Sequence, residues 1–341
     1  LEKPQATAAD RAQPRRPGAG DRTATYAALD LGTNNCRLLV ARGMPRAGAS
    51  GFTVIDAFSR IVRLGEGLAA SGALCEAAMA RTIDALKICA GKVASHRVSG
   101  ARYIATEACR RAVNCAEFMA RVQSETGLDL EIISTEEEAR LVVAGCAPLL
   151  DRCVPHALVF DIGGGSTELA WVRLRDDAEP EILDSLSLPH GVVTLSDRYG
   201  GCEVSAATYA AMIAEVHAAI GVIEGRHGIC RHIAAGAVQM LGSSGTVTTL
   251  AAVHLALPHY SRRRVDGAML SFDELRCASQ LLARQSHAER ARHPCIGLER
   301  ADLVLAGCAI LEAICLLWPV GRLRVADRGI REGILLGLVR H

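Results

Sequence analysis

The sequence predicts an α/β protein built as two similar lobes around a central cleft, and three observations carry that prediction. At 341 residues the chain exceeds what one hydrophobic core organises, so two domains are expected. Half of the residues are hydrophobic and only 4% aromatic, which leaves Ala, Val, Leu and Ile to form the core. The third observation is an internal repeat. The strand–turn–strand TYAALDLGTNNCRLLVAR returns as PHALVFDIGGGSTELAWVRL, so that Asp30 matches Asp161, Gly32 matches Gly163, Thr33 and Asn34 match Gly164 and Gly165, and Leu38 matches Leu169, each pair 131 residues apart.

Residues 1–24 lack any apolar period and are rich in Pro, Arg, Gly and Ala, which predicts a disordered tail. Order begins with the first hairpin, and FTVIDAFSRIVRLGEG continues the strand-rich section. Leu74, Ala78, Ile83, Leu86 and Ala90 then recur at helical spacing. HRVSGARYIATEA reads as a strand ending in a polar turn, RRAVNCAEFMARVQSETG as a helix and LDLEIIS as a short strand. TEEEARLVVAGCAPLL reads as a helix capped by Ser134 or Thr135, with acidic residues in its first turn. The lobe boundary is expected near Ala147 to Pro155, giving lobes over residues 25–147 and 148–341.

The second lobe opens with the repeated hairpin and continues with a strand, EILDSLSL, and an Ala-rich helix from about Ser205 to Gly225. A strand around HIAAGAVQMLG, a helix opening at GSSGTVTTLAAV and further helices follow. Leu303 to Gly321 reads as a buried core helix rather than a membrane span, because Glu312 sits in its middle. The amphipathic REGILLGLVR near the end is a segment that could cross back onto the first lobe.

With 38 basic and 37 acidic residues the net charge is +1, so no global field draws in nucleic acid or a membrane surface. An anionic ligand must be held locally. Lys3, Lys87 and Lys92 are the only lysines, leaving arginine as the working cation, a skew that codon bias explains as readily as phosphate recognition. The thirteen cysteines form no CxxC pair and no zinc spacing, as expected of reduced, buried thiols in a cytoplasmic protein, and no secretory signal is expected.

Glycine loses more backbone entropy on ordering than any other residue, so DIGGGSTE between two strands needs a reason. A hairpin alone asks for one or two glycines at positive φ. Three in a row, bracketed by Asp161 and Glu168, point to a turn whose N–H groups wrap around phosphate. The candidate phosphate binders are Gly32, Thr33, Asn34 and Asn35 in the first loop and Gly163, Gly164, Gly165, Ser166 and Thr167 in the second. Gly242, Ser243, Ser244, Gly245 and Thr246 form a third loop at a helix N-terminus, where N–H groups and the helix dipole favour an anion.

Carboxylates repel phosphate unless a cation intervenes. Asp161, Glu168 and Asp30 are therefore candidate ligands for Mg²⁺, with Mn²⁺ as the substitute, and the alternative is that each Asp caps its own turn. STEEEAR offers Glu136, Glu137 and Glu138 as bases for water, in a helix turn where acids are also favoured by the dipole alone.

DLGTNNCRLLVA, ATEACRRAVN, EIISTEEEARL, DIGGGSTELA and GSSGTVTTLAA, in this order, resemble the motifs of the exopolyphosphatase/guanosine pentaphosphate phosphohydrolase family. The resemblance runs from about Tyr26 onward and implies ribonuclease H-like lobes of the actin, hexokinase and chaperone-ATPase superfamily. It implies Mg²⁺-assisted hydrolysis of terminal phosphoanhydride bonds in inorganic polyphosphate, or of guanosine pentaphosphate, and a homodimer. Glu138 falls on the catalytic base, Asp161 and Glu168 on holders of metal or attacking water, Arg110 on the residue neutralising terminal phosphate, and Asn34 and Arg37 on the first phosphate loop.

The chain departs from the family pattern at Asn35, where Ser is usual, and at Glu107 and Ala108 before Arg110. Longer members carry additional helical C-terminal domains, so this form is expected to favour shorter chains or to be less processive. Two rivals share the loops: an ATP-dependent sugar or acetate kinase, in which EEEAR has no role, and a non-catalytic sensor of polyphosphate or guanosine tetraphosphate.

Overall fold

A computed structural model describes residues 24–43, 51–176 and 178–340. Apart from Ala24, the predicted tail lies outside them. The first lobe contains β1 (Thr25–Leu31), β2 (Asn35–Gly43), β3 (Phe52–Ile61), α1 (Leu68–Ser71), α2 (Glu76–Ser95), β4 (Gly100–Ala105), α3 (Glu107–Arg111), α4 (Cys115–Thr126), β5 (Glu131–Ile132) and α5 (Thr135–Cys146). The second contains β6 (His156–Ile162), β7 (Thr167–Arg173), β8 (Glu181–Leu188), α6 (Val192–Tyr199), α7 (Ala206–His227), α8 (Ile229–Ala234), β9 (Val238–Ser243) and α9 (Ser244–His254). It continues with α10 (Arg262–Val265), β10 (Met269–Ser271), α11 (Phe272–Arg284), α12 (His287–Arg292), α13 (Val304–Leu317), β11 (Arg322–Ala326) and α14 (Ile330–Arg340).

The first sheet has the order β3-β2-β1-β4-β5, an antiparallel meander of three strands followed by two strands parallel to β1. The second repeats it as β8-β7-β6-β9-β11 and adds β10 antiparallel at the edge. Two sheets of matching order make a two-lobed α/β fold. The repeat extends to the register: Leu31 pairs with Cys36 as Ile162 pairs with Thr167, and Asp30 pairs with Arg37 as Asp161 pairs with Glu168.

Side chains alternate between the two faces of each strand. Ala27, Leu29 and Leu31 join Leu38 and Val40 under α2 and α4, while Ala28, Leu39 and Ala41 turn toward Leu141 of α5 and Ile334 and Leu335 of α14. In the second sheet Leu158, Phe160 and Trp171 enter the large core with α7, α9 and α13, and Ala157, Val159 and Ala170 turn toward Val142, Val143 and Cys146 of α5. The faces that meet α5 and α14 are rich in Ala, so both helices sit close to the sheets. Gly145 and Gly333 let the two helices touch: a Cβ at Gly145 would lie 2.0 Å from the Gly329 carbonyl, and one at Gly333 would lie 2.1 Å from the Leu141 carbonyl.

One expectation is corrected. The strand read from HIAAGAVQMLG begins only at Val238; the residues before it belong to α8, with Gly236 at φ 69 making the turn between them. As expected, the apolar segment from Leu303 to Gly321 holds a buried helix, α13 of 14 residues, and its Glu312 carboxylate accepts a hydrogen bond from the Tyr209 hydroxyl at 2.9 Å. Among the described residues it is α7, with 22 residues, that is long and apolar enough by composition to span a membrane, and its Val216, Ile220 and Ile223 lie buried in the second lobe's core.

Candidate active site

Strand alternation aims four charged side chains at one place. Asp30 and Arg37 lie on the face of β1 and β2 that carries Ala28 and Leu39, and Asp161 and Glu168 lie on the face of β6 and β7 that carries Val159 and Ala170. Both faces look toward α5 and α14. Helix α5 begins at the Ser134 cap, whose side chain accepts from the Glu137 amide at 3.2 Å. Glu138 then falls on the buried stripe with Leu141, Val142 and Gly145, whereas Glu137 turns outward to Arg102 and Arg140. Helix α14 opens at Gly329, whose amide donates to Glu332 at 3.0 Å, and presents Arg331 to the cleft.

The cleft holds about 1210 Å³ of empty space, mouth included, and its walls come from both lobes. The two Asp-x-Gly turns meet across it, each closed by a corresponding bond of 2.9 Å, Gly32 N–H to Asn35 O and Gly163 N–H to Ser166 O. None of Gly163, Gly164 and Gly165 has positive φ, so left-handed backbone is not why they are glycines. The reason is close approach. A Cβ at Gly164 would lie 2.9 Å from Asn34 Cβ, and one at Gly165 would lie 2.4 Å from Thr33 Oγ1. Among the described residues Thr33 Oγ1, buried between the turns, has no hydrogen-bond partner, an orphaned hydroxyl in the lining of the cleft.

The third loop reaches the cleft only from Ser244 onward. Gly242 and Ser243 are part of β9; Gly242 packs on the Phe160 ring, and the Ser243 hydroxyl is spent on the Asp161 carboxylate. Ser244 donates to Ile162 O at 2.7 Å from a φ of 81, and Gly245 and Thr246 face the cavity in the uncapped first turn of α9. Thr167 is likewise withdrawn: it is buried in β7 and donates to His190 O at 2.6 Å. Gly242, Ser243 and Thr167 therefore shape the site without lining it.

The carboxylates stand in two pairs. Glu138 and Glu168, 5% and 4% exposed, face each other across the lobes. Burial pushes both above the ordinary carboxylate range, Glu168 to about 7 and Glu138 well above its usual value, and for Glu138 the charge on Glu168 adds to the shift. Ser166 and Ser187 donate to Glu168 Oε1 at 2.6 and 3.0 Å and hold that shift down. Asp30 and Asp161 are both raised by burial, with nearby Arg37 and Arg331 working in the opposite direction.

Arg110 does not line the cleft. It lies behind the acids, donating to Glu138 Oε2 at 2.7 Å, to Ile133 O at 3.0 Å and to Glu107 Oε2 at 3.0 Å, and so fixes one oxygen of Glu138 while the other is left for the cavity. The cations that do line it are Arg37, Arg300, Arg328 and Arg331; among the described residues Arg328 is paired with Asp266, and the other three make no ion pair. Asn35, with its amide oriented to satisfy its neighbours, accepts from Arg37 at 3.0 Å and steadies it. Arg331 is not among the residues that the sequence pattern singles out, because REGILLGLVR stands out by its apolar face. A charged residue in the first turn of that helix, after the glycine of DRG, is the signal that would have found it.

Among the described residues no group of three or more His, Cys, Asp or Glu side chains is close enough to enclose a metal. Mg²⁺ does not ask for such a cage; it binds through one or two carboxylates and completes its octahedron with water and phosphate oxygens. Asp30, Asp161 and Glu168 offer the hard oxygen atoms that such an ion takes, with Glu168 held by Ser166 and Ser187 and Asp161 by Ser243, and so fit an ion shared with a phosphorylated ligand.

The model of the Ppx/GppA phosphatase family matches residues 44–341. Among solved structures the chain is similar to an Aquifex aeolicus Ppx/GppA family member, with 27% identity over 93% of this chain and 98% of that one and a TM-score of 0.73. It is similar to an exopolyphosphatase-like protein, with 28% identity over 93% and 99% of the two chains and a TM-score of 0.81. An exopolyphosphatase from Cytophaga hutchinsonii shares the fold, with 23% identity over 93% and 98% and a TM-score of 0.81. Paired buried acids, unpaired arginines and facing glycine turns thus occur in a chain matched over most of its length, and the protein belongs to the Ppx/GppA phosphatase family as a phosphohydrolase.

Proposed function

We propose that the protein is an exopolyphosphatase that hydrolyses the terminal phosphoanhydride bond of inorganic polyphosphate and releases orthophosphate. The observation that carries this reading is the convergence of Glu138 and Glu168 from opposite lobes beside the orphaned Thr33 hydroxyl and the open first turn of α9.

The terminal phosphoryl group sits against the glycine turns, Thr33 and the first-turn amides of α9, and Arg37, Arg331 and Arg300 balance the charge of the following phosphates. Glu138, with one oxygen tied to Arg110, takes a proton from the attacking water. The water oxygen bonds to phosphorus as the bridging P–O bond breaks, and the shortened chain leaves with the negative charge. Asp161 and Glu168, with Asp30 nearby, would hold Mg²⁺, or Mn²⁺ in its place, and the ion would supply charge neutralisation at the phosphate oxygens.

Guanosine pentaphosphate is the second substrate to consider, because Val192, Leu303 and Val304 give the cleft an apolar wall on which a purine could rest. Phosphate release from long-chain polyphosphate and from guanosine pentaphosphate, measured side by side with Mg²⁺, is expected to show the higher kcat/KM on polyphosphate. The reverse order would replace the substrate. Binding without release from either, with Mg²⁺ and with Mn²⁺, would make the protein a sensor.

A further inference from the structure

We propose that Arg63 is a positioning residue for hydrolysis: its ion pair with Asp302 clasps the two lobes and fixes the first phosphate loop in the closed cleft. Arg63 Nη2 reaches from the first lobe to Asp302 Oδ1 at 2.9 Å and to the Glu299 carbonyl at 3.0 Å, with the two side chains 32% and 23% exposed. Among the described residues this is the only ion pair between residues 24–147 and residues 148–340.

The clasp is wired to the phosphate loop by backbone. The amides of Val62 and Arg63 both donate to Asn34 O, at 2.8 and 3.0 Å, and the Gly65 amide donates to Thr33 O at 2.9 Å. A Cβ at Gly65 would lie 2.2 Å from Thr33 Cγ2, so the segments are in contact. On the other lobe, Asp302 lies next to Leu303, which forms the wall between the catalytic cleft and a smaller pocket containing Arg63, Asp197 and Asp302. The Asp302 carbonyl also accepts from Ser196 at 3.0 Å, tying the segment to α6.

Arg63 has a φ of 48, an unfavourable conformation for a residue with a side chain, and such a conformation persists only where its surroundings hold it. The bonds to Asn34 and to Asp302 hold it from both sides. Opening the lobes would remove one set, so the state of the cleft is conveyed to Thr33 and Asn34.

This inference takes its kinetic readout from the proposed hydrolysis, so the test has an arm that needs no turnover. Arg63→Gly relieves the backbone strain while deleting the clasp, and Arg63→Asp combined with Asp302→Arg restores it in reverse, Asp being tolerant of left-handed backbone. Expected for Arg63→Gly are an undiminished Tm, a KM for polyphosphate about tenfold higher, a kcat within about threefold of the parent, and a larger radius of gyration by small-angle scattering without ligand. The reversed pair should bring KM back to within about threefold and restore the radius. Unchanged KM and radius in Arg63→Gly, or a reversed pair that stays defective at parental Tm, would overturn the proposal. If the parent protein releases phosphate from neither polyphosphate nor guanosine pentaphosphate, the functional reading fails, and scattering with and without tripolyphosphate still decides the clasp.

Discussion

Glu136, Glu137 and Glu138 are consecutive and chemically alike, yet helix rotation gives them different surroundings. Glu137 is drawn down to a pKa of about 2 by Arg140 and Arg102, while Glu138 turns inward and is pushed up by burial. A carboxylate with a raised pKa beside a cavity is suited to take a proton from water, and one saturated by arginines is not. Glu138→Ala should therefore lower kcat by roughly two to four orders of magnitude with tripolyphosphate binding retained, and Glu137→Ala should change it far less. Single-turnover phosphate release together with calorimetric binding separates the two, and near-parental turnover in Glu138→Ala would remove it from the chemistry. The position of Glu138 in a helix's first turn was legible in the sequence, as was its place in the family motif. That Arg110 would lie behind it rather than on the phosphate was not, because the deciding neighbours, Glu107 and Ile133, are set by how α3 meets β5 and α5.

At the scale of elements, the duplicated hairpins were readable down to their register, since the same residue offset governs both ladders. Helix packing was not. Nothing in the residue pattern says that α5 and α14 cross at backbone contact, because Gly145 and Gly333 sit in unrelated segments and their need for space arises only once both lobes are assembled. The crossing matters because α5 carries Glu138 and α14 carries Arg331. Gly145→Ala places a methyl group against the Gly329 carbonyl, so the helices must separate. A loss of roughly 1–3 kcal/mol in denaturant-measured stability is expected, together with a lower kcat/KM. An alanine variant with parental stability and activity would show that the crossing yields at no cost. The three glycines of the second loop teach a similar lesson. They are conspicuous in the sequence, but the reason for Gly164 and Gly165 is the approach of Asn34 and Thr33 from the other lobe, and that for Gly163 is the Ser166 carbonyl of its own turn.

For the whole molecule, burying acids between two lobes has a consequence for stability. Glu168 has an ordinary pKa of 4.5 that burial raises to about 7 in the folded chain. Between those values the folded state binds more protons than the unfolded state, so stability falls as pH rises through that window and levels off above it. A shift of this size corresponds to roughly 3 kcal/mol for the single group, and Glu138 acts in the same direction. Urea unfolding at pH 5 and pH 7.5 should show a decline in the parent that is smaller in Glu168→Gln, and an identical decline in both would refute the assignment.

The register that pairs Asp30 with Arg37 in one hairpin and Asp161 with Glu168 in the other places opposite charges at equivalent points of two nearly equivalent halves. A phosphate polymer has identical repeating units and reads the same from either end. A symmetric cleft would give it no orientation. By exchanging a cation for an acid at one pair of matched positions, Arg37 and Glu168, the protein gives two otherwise equivalent hairpins unlike charge, and the cleft between them a head and a tail.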